Sequence, residues 1–599
     1  MGWILFGAGK YGKEAIRFLG SQNIEMVLDN DVKKKGSFLE GVQICLFDDV
    51  RDLLKDRKIV ITVASEKANE IIAQLKRFGI CDYIRFKDLK TEITKERIIN
   101  RPDYIRVYYK AIQWIINNSI KNEGIIVATS NKKSYPEVTG YFIPSLLKWG
   151  YRDLALQYAK WLCSIQKDDG SWFDSDDKDA YVFDTAQVIK GLLAVRAILP
   201  EVDKSILKGC DWLLSRIDDK GCLVTPSKAL WGDNRDVCDE IIHLYCISPL
   251  FEAGRVFNKN NYVENAVRIK KYYLDEYHEK IMNFSLLSHF YAYLMEALLD
   301  LGETEMARNA MERIAKYQDE SGAVPAYNNV HWVCSTGIFQ LALVWFRLGD
   351  FDRGNRAFQY ACKLQNDSGG WFGSYLNAEH PEEDNDYFSD GEISWANKYY
   401  LDALYFRCIC EFNRPNDQFL PKIDKEDGRY CLIKDEILNS TCSGDSILDI
   451  GCGKGRYLIN LLEDVPNRDY NASDLSVGVM KNIIDTGIVC RQGSLTNIPW
   501  EDATFELVYC CEALEHAIDI ENAIGEMLRV TKHGGKIIII DKPIEKLGSL
   551  DITEYEQWLD TNVVISALSK RCIKTDVIKD IPYEGRNDGL FYAWVGIVD

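Results

Sequence analysis

No apolar run in this chain approaches the ~20 residues that a membrane-spanning helix needs, so membrane insertion is not expected. Positive charge is also short: 72 Lys and Arg face 91 Asp and Glu, a formal net charge of −19 at pH 7. That deficit argues against nucleic acid or an anionic membrane surface as the main partner, because either needs a basic face. The 18 cysteines include no C-x-x-C pair, and several (Cys163, Cys246, Cys510) lie inside apolar runs. Reduced, buried thiols in a cytoplasmic protein are expected, with no disulfide frame and no metal site. The opening MGWILFGAGKYG lacks a charged leader and runs straight into a glycine loop, so it does not read as a signal peptide.

What is present is ordinary globular material, 47% apolar and 27% charged over 599 residues. Length alone suggests about four domains. Three kinds of sequence follow one another. Residues 1–95 alternate strands and helices, which implies a parallel sheet. Residues 96–414 carry long amphipathic helices, many aromatics and a recurrent glycine loop. The segments WIINNSIKNEG, WLCSIQKDDG, WLLSRIDDKG, RIAKYQDESG and YACKLQNDSGG align on Gly124, Gly170, Gly221, Gly322 and Gly370. Neighbouring glycines lie about 50 residues apart, or twice that where a degenerate unit around YYLDEYHEKIMNF intervenes, and such a period signals a repeat architecture. Six helical hairpins closing on themselves would make an (α/α)6 toroid with its loops on one face. Residues 415–599 return to strand and helix alternation; NRPNDQFLPK (413–422) is the best boundary signal.

The strongest chemistry lies in LDIGCGKG (448–455). A strand carrying Asp449 runs into Gly451, Gly453 and Gly455, which let backbone approach a ligand while the next helix presents free N–H groups. No Lys-Ser/Thr pair follows, so this is not a phosphate loop of the Walker type. Asp474 ends the next strand, where a carboxylate can accept both hydroxyls of a ribose. RQGS (491–494), the strand LVYCC (507–511) and EALEH (512–516) come next.

With these motifs in this order, residues 415–599 resemble the class I S-adenosylmethionine-dependent methyltransferases, in the small-molecule branch that includes the ubiquinone/menaquinone enzymes. The resemblance implies that Asp449, Gly451 and Gly453 line the methionine end of the cofactor and that Asp474 holds its ribose. Gly493 and Ser494 would flank the adenine, with Ser494 standing where the family often has Asp. Cys511 and Glu512 would face the methyl group. His516 is the candidate base for an acceptor hydroxyl, with a structural role as the alternative. The connection 541–551 is too short for an acceptor cap, so the helical domain is a candidate to help bind the acceptor.

In that domain SYPEVTGY (134–141), YVFDTAQ (181–187) and the tract from Trp371 to Phe388 are richer in aromatic and polar groups than packing demands, as a saccharide groove would be. Tyr135, Glu137 and Asp184 are the catalytic candidates, with Tyr387 and His331 behind them. The alternative makes Asp184-Thr185 a helix cap and 135–137 a loop former. The SYPEVTGY and VFDTAQV tracts and the QxxDGSW-like loops resemble an (α/α)6 family of bacterial exopolysaccharide proteins and, more distantly, glucuronyl C5-epimerases and unsaturated glucuronyl hydrolases. At the N-terminus, Gly7, Gly9 and Gly12 follow a strand and open a helix, and Asp29 ends the next strand, as a dinucleotide fingerprint requires. The stretch resembles the small Rossmann domain of bacterial sugar N-acetyltransferases, which implies a nucleotide or nucleotide-sugar there, with NAD(P) as the alternative.

The expectation is therefore multidomain: an α/β Rossmann-like N-terminal domain, an all-α (α/α)6 toroid, and an α/β class I methyltransferase domain. It would use S-adenosyl-L-methionine to methylate a saccharide precursor or surface-polysaccharide unit. The alternatives are a bifunctional enzyme whose toroid epimerises, eliminates or hydrolyses a uronic acid, and a glycan-binding scaffold in which the methyltransferase domain alone is active. The sequence leaves the acceptor sugar, the methylated position and the oligomeric state open.

Overall fold

The computed structural model describes residues 2–599 except Asp56, 91–103, 227–239, 415–421, Asp485, Asp551 and 553–555. The chain forms two compact units, Met1–Arg106 and Val107–Asp599. The expected boundaries at 95/96 and 414/415 fall in or against stretches outside the described residues.

The first unit is a six-stranded sheet with order β3-β4-β2-β1-β5-β6: β1 (Trp3–Phe6), β2 (Ile24–Asp29), β3 (Phe38–Leu39), β4 (Val42–Leu46), β5 (Ile59–Ile61) and β6 (Tyr83–Arg85). All pairings are parallel except β3 with β4. Helices α1 (Lys10–Leu19) and α2 (Ser65–Arg77) serve as crossovers. Strands β1 and β5 read as unbroken apolar runs because both faces are covered.

The second unit opens with helices in two sets. The inner set is α4 (Pro136–Lys148), α6 (Val182–Val195), the one-turn-per-three stretch Glu240–Cys246 leading into α8 (Ile247–Val256), α10 (Ser288–Asp300), α12 (Ser335–Arg347) and α14 (Ser394–Phe412). Each packs on the next, and α14 packs back on α4. Of these, α4, α6, α12 and the first half of α14 are buried nearly all round, as helices surrounded by protein must be. The outer set, α3 (Tyr104–Asn117), α5 (Arg152–Ile165), α7 (Asp203–Leu214), α9 (Asn260–Glu276), α11 (Thr304–Ile314) and α13 (Phe351–Lys363), buries one face each. Inner helices come very close at Gly140 and Gly191. A Cβ at Gly191 would stand 2.0 Å from the Gly140 carbonyl oxygen.

The repeat has a structural cause. Gln166, Gln318 and Gln365 each donate their amide to the carbonyl of a glycine four residues on (3.0, 3.4 and 3.1 Å) and to a carbonyl of a neighbouring outer-helix segment. Those glycines, Gly170, Gly322 and Gly369, all have φ near +100° and leave no space for a Cβ. The last repeat therefore registers on Gly369, not on Gly370; in a Gly-Gly pair only the backbone angles show which glycine makes the turn.

The rest of the second unit is a seven-stranded sheet: β7 (Ser446–Ile450), β8 (Asp469–Asp474), β9 (Val489–Gln492), β10 (Phe505–Cys511), β11 (Thr531–Asp541), β12 (Cys572–Tyr583) and β13 (Arg586–Val598). The order is β9-β8-β7-β10-β11-β13-β12, parallel up to β11 and antiparallel for the last two strands. Helices α15 (Gly428–Ser440), α16 (Arg456–Asp464), α17 (Ile520–Val530) and α18 (Thr561–Leu568) pack on this sheet. Strand order switches between β7 and β10, and a ligand crevice forms at the carboxyl edge of such a switch.

Candidate active site

At that edge the backbone turns sharply through Gly451, Gly453 and Gly455, all at positive φ. Gly451 N–H and Cys452 N–H both donate to the Ser473 carbonyl (2.8 and 3.1 Å), which fixes the turn against β8. A Cβ at Gly451 would run into Ala513 and one at Gly455 into Ile483, but at Gly453 it would meet nothing within 4 Å. Gly453 thus faces open space, a backbone cradle.

Two carboxyls border the cradle. Asp449 is 2% exposed, and its Oδ2 accepts from the Tyr509 hydroxyl at 2.9 Å. Burial pushes its carboxyl up to about 7, with the charge of Asp474 adding to the effect. Asp474 accepts from Gly453 N–H through Oδ2 and from Ser476 N–H through Oδ1, both at 2.9 Å. Burial raises its carboxyl too, against the pull of those N–H groups and of nearby His516. Gly493 N–H donates to the Asp474 carbonyl at 3.0 Å, so the loop carrying Gly493 and Ser494 continues the same wall. The Ser494 hydroxyl donates to the Lys148 carbonyl (3.3 Å), beside Thr496, whose hydroxyl does the same at 2.7 Å. Ser494 is therefore turned toward the helical region.

Cys511 donates its thiol to Tyr457 Oη at 3.2 Å, and burial pushes the thiol up to about 12; it is an inert wall. Glu512, in the left-handed region (φ 53°), is engaged by cations: Arg429 Nη1 lies 2.8 Å from Oε1, and Arg456 pairs with Oε2. Arg429 is fully buried, bonded twice to Asp427 (2.9 and 2.8 Å) and packed over the Tyr583 and Phe591 rings. His516 ends a short turn after β10, with the Phe412 ring edge-on at 5.1 Å. Glu515, His516 and Glu556 bring ligand-type atoms within 4.8 Å of one another, and Glu515 is already ion-paired with Lys542.

The helical region meets the sheet region at this edge. Asp519 caps α17 through Asn522 N–H (3.0 Å), and its Oδ2 accepts from the hydroxyls of Tyr108 (3.2 Å) and Tyr151 (3.0 Å). Asn522 donates to the Trp149 carbonyl, Arg152 pairs with Asp502, and Ser476 donates to Asn413. The loops after β8, β9 and β10 are all engaged.

The candidates of the helical region come together at the other end. Tyr135 precedes α4, Glu137 lies in its first turn, and Asp184 lies in the first turn of α6. The N-cap of α6 is Tyr181 and no side chain caps it, so Asp184 is not the cap that the sequence alternative offered. Trp395 Nε1 donates to Glu137 Oε2 at 2.9 Å, and Tyr135 bonds Asp184. Tyr387 lies near the His289 ring (6.1 Å), whereas His331 is bonded to Glu383 (2.6 Å) and stacked on His380.

In the first unit, Gly7 has φ 129° and no space for a Cβ, and a Cβ at Gly12 would stand 2.2 Å from the Gly7 carbonyl oxygen; Gly9 is open. The Asp29 carboxylate accepts from Ala8 N–H (2.9 Å), Asp31 N–H (2.9 Å) and Lys34 Nζ (2.8 Å). Burial works against its charge, yet those donors hold it below the usual carboxylate range. A ribose there would share Asp29 with Lys34.

Residues 448–539 match the family model described as a methyltransferase domain. A sterol 24-C-methyltransferase of Schizosaccharomyces pombe is 35% identical over 99 residues, 15% of this chain and 26% of that protein. A ubiquinone/menaquinone biosynthesis C-methyltransferase of Xylella fastidiosa is 31% identical over 161 residues, 24% of this chain and 62% of that one. A 27-O-demethylrifamycin SV methyltransferase of Amycolatopsis mediterranei is 30% identical over 106 residues, 16% of this chain and 39% of that one. The chain thus spans between 26% and 62% of the length of these curated relatives. Among solved structures, a geranyl diphosphate methyltransferase in complex with geranyl diphosphate and sinefungin is 14% identical, covering 28% of this chain and 77% of that chain with a TM-score of 0.25. The C-terminal part of the chain carries an S-adenosylmethionine-dependent methyltransferase domain. No helix among the described residues is long and apolar enough to cross a membrane.

Proposed function

We propose that this protein is a cytoplasmic enzyme that methylates a hydroxyl of a saccharide precursor or surface-polysaccharide unit. The observation that carries the methyl-transfer reading is the open cradle at Gly453 between the buried carboxyl of Asp449 and the half-buried carboxyl of Asp474, at the switch point of the sheet. S-adenosylmethionine, when bound, supplies an electrophilic methyl group on a cationic sulfur. Asp449 and Asp474 counter positive charge and anchor hydroxyls, and the Gly453 backbone gives way to the ligand. His516 takes the acceptor's proton as the hydroxyl oxygen attacks. Catalysis here is mostly positioning: one in-line displacement needs the acceptor oxygen ~3–3.5 Å from the methyl carbon.

The organisation we propose is 1–95 as a nucleotide or nucleotide-sugar module, with NAD(P) as its alternative ligand, 96–414 as an (α/α)6 toroid, and 415–599 as the methyltransferase. The cyclic packing of the inner helices supports the toroid. The aromatic and carboxyl-bearing residues at their N-terminal ends support a saccharide site there. Phe412 against His516 and Asn413 against Ser476 support the helical region as part of the acceptor wall. Calorimetry with S-adenosylmethionine tests the donor site: Asp449→Ala should weaken binding ~100-fold with the fold retained, and unchanged affinity would remove the reading. Oligosaccharide titration of the same protein tests the ring.

A further inference from the structure

The two candidate sites lie at opposite ends of the same helices. Glu137 and Trp395 stand in the first turns of α4 and α14, while Lys148 and Phe412 end those helices against the methyltransferase part. At 1.5 Å per residue, Glu137 and Lys148 are ~16 Å apart along the axis, and Trp395 and Phe412 ~26 Å. A sugar ring held at Glu137 cannot also touch a donor methyl, which demands approach to ~3–3.5 Å. The carboxyls at the far end need a role of their own.

Other buried acids of the ring have a partner on each oxygen: Glu296 accepts from Gln340 (2.9 Å) and Tyr245 (3.3 Å), and Glu392 from Asn366 (2.8 Å) and Trp114 (2.7 Å). Asp402 is paired with Lys398 (3.0 Å) and Lys148 (3.4 Å), and Asp300 with Arg347 (2.8 Å) and Lys190 (3.3 Å). Among the described residues, Glu137 and Asp184 make no ion pair, although they are 3% and 2% exposed. Asp184 Oδ2 is buried without a hydrogen-bond partner, as are both amide atoms of Gln187, one turn further along α6. Unpaired buried carboxyls are costly, and a fold retains them where a ligand or a proton completes them. Burial pushes both carboxyls up, Asp184 to about 7 and Glu137 well above its ordinary value with the charge of Asp184 adding. One can therefore hold a proton while the other has lost it.

Aromatic rings stand around the pair. Tyr135 and Phe388 each lie 5.9 Å from Trp395, and Tyr387 5.2 Å from Phe388. Behind Glu137 a buried relay fixes its partner: Tyr141 bonds Glu137 and reaches Tyr293 (3.5 Å), Tyr293 reaches His289 Nε2 (3.3 Å), and Gln340 joins His289 to Glu296. Burial holds His289 neutral.

We propose that this end of the ring is a second catalytic centre that hydrolyses a glycosidic bond, with Glu137 as the acid and Asp184 as the base. Water bonds to the anomeric carbon as the glycosidic C–O bond breaks. Glu137 gives its proton to the departing oxygen, Asp184 takes one from the water, and solvent returns it to Glu137. Net, one water is consumed and one free reducing end appears. The inference rests on the saccharide reading of the ring and is independent of methyl transfer.

The test uses the full chain with phenyl and 2,4-dinitrophenyl glycosides of glucose, galactose, mannose and glucuronic acid in both anomers. The wild type should release both leaving groups from at least one sugar. Glu137→Gln should slow phenyl release ~100-fold or more and dinitrophenyl release less than ~10-fold, because only the poor leaving group needs a proton. Asp184→Asn should slow both ~100-fold. An equal loss in Glu137→Gln for both leaving groups, or no release by the wild type, overturns the proposal. Calorimetry with the phenyl glycosides separates the two readings: binding without turnover sinks hydrolysis and leaves the saccharide site, whereas no binding sinks both. A single cooperative melting transition and unchanged S-adenosylmethionine affinity in each variant establish that it is folded.

Discussion

Donor binding should be linked to a proton at Asp449. Burial raises this carboxyl to about 7, and a cationic donor favours its ionised form. If the complex holds Asp449 fully ionised, the apparent affinity follows the ionised fraction in the free protein. Affinity then falls ~10-fold between pH 8 and pH 6, approaching 1.4 kcal/mol per pH unit below 7. At pH 7 about half a proton leaves on binding. Titration calorimetry in buffers of different ionisation enthalpy reads that number directly. The donor's own amino group titrates near pH 8 and contributes equally to all variants, so the quantity to compare is wild type minus Asp449→Asn. That difference should be ~0.5 proton at pH 7. Tyr509→Phe removes the 2.9 Å donor that favours the ionised form and should move the difference toward one. Affinity that stays flat from pH 6 to pH 8, or equal proton release by the wild type and Asp449→Asn, would refute the reasoning.

Other outcomes follow from packing and charge. Gly191→Ala drives a methyl into the Gly140 carbonyl and should cost about 2 kcal/mol or more in chemical denaturation, because α4 and α6 must separate. Asp519→Ala removes a helix cap and the acceptor of two tyrosine hydroxyls. A loss of about 3–5 kcal/mol is expected, against about 1 for Tyr108→Phe. Glu137, Asp184, Asp449 and Asp541 all have raised carboxyls. The folded state therefore holds protons that the unfolded chain releases near pH 4; the stability this gives is complete below that point, and the share of Asp184 and Asp449 is lost as pH rises through about 7. His289, pushed down to about 3, opposes them singly. The melting temperature should thus fall between pH 5.5 and pH 8, and Asp449→Asn should reduce the fall.

What the sequence made readable was local. Asp449, the three glycines and Asp474 sit within one strand–turn–helix–strand stretch, and their spacing carries the site. Tyr509 was not readable as a partner of Asp449, because β7 and β10 meet through sheet register. Nor was Arg429, which reaches Glu512 from a helix that precedes the whole motif. Asp184 followed by Thr185 looked like a cap because a polar pair before an apolar run usually is one. Here the helix begins three residues earlier, and burial rather than capping defines Asp184. The period of about 50 residues announced stacked helical units, but no period can say which end of them the sheet region contacts.

That contact bears on how the chain can be divided. Ser494 and Thr496 hold the Lys148 carbonyl, and Tyr108 and Tyr151 hold Asp519, from more than 300 residues away in sequence. A polypeptide cut at the apparent seam near Asn413 would leave the loops after β9 and β10 without their outer buttress. The methyl-transferring piece, recognisable by itself in the sequence, is for that reason a poor candidate for independent life.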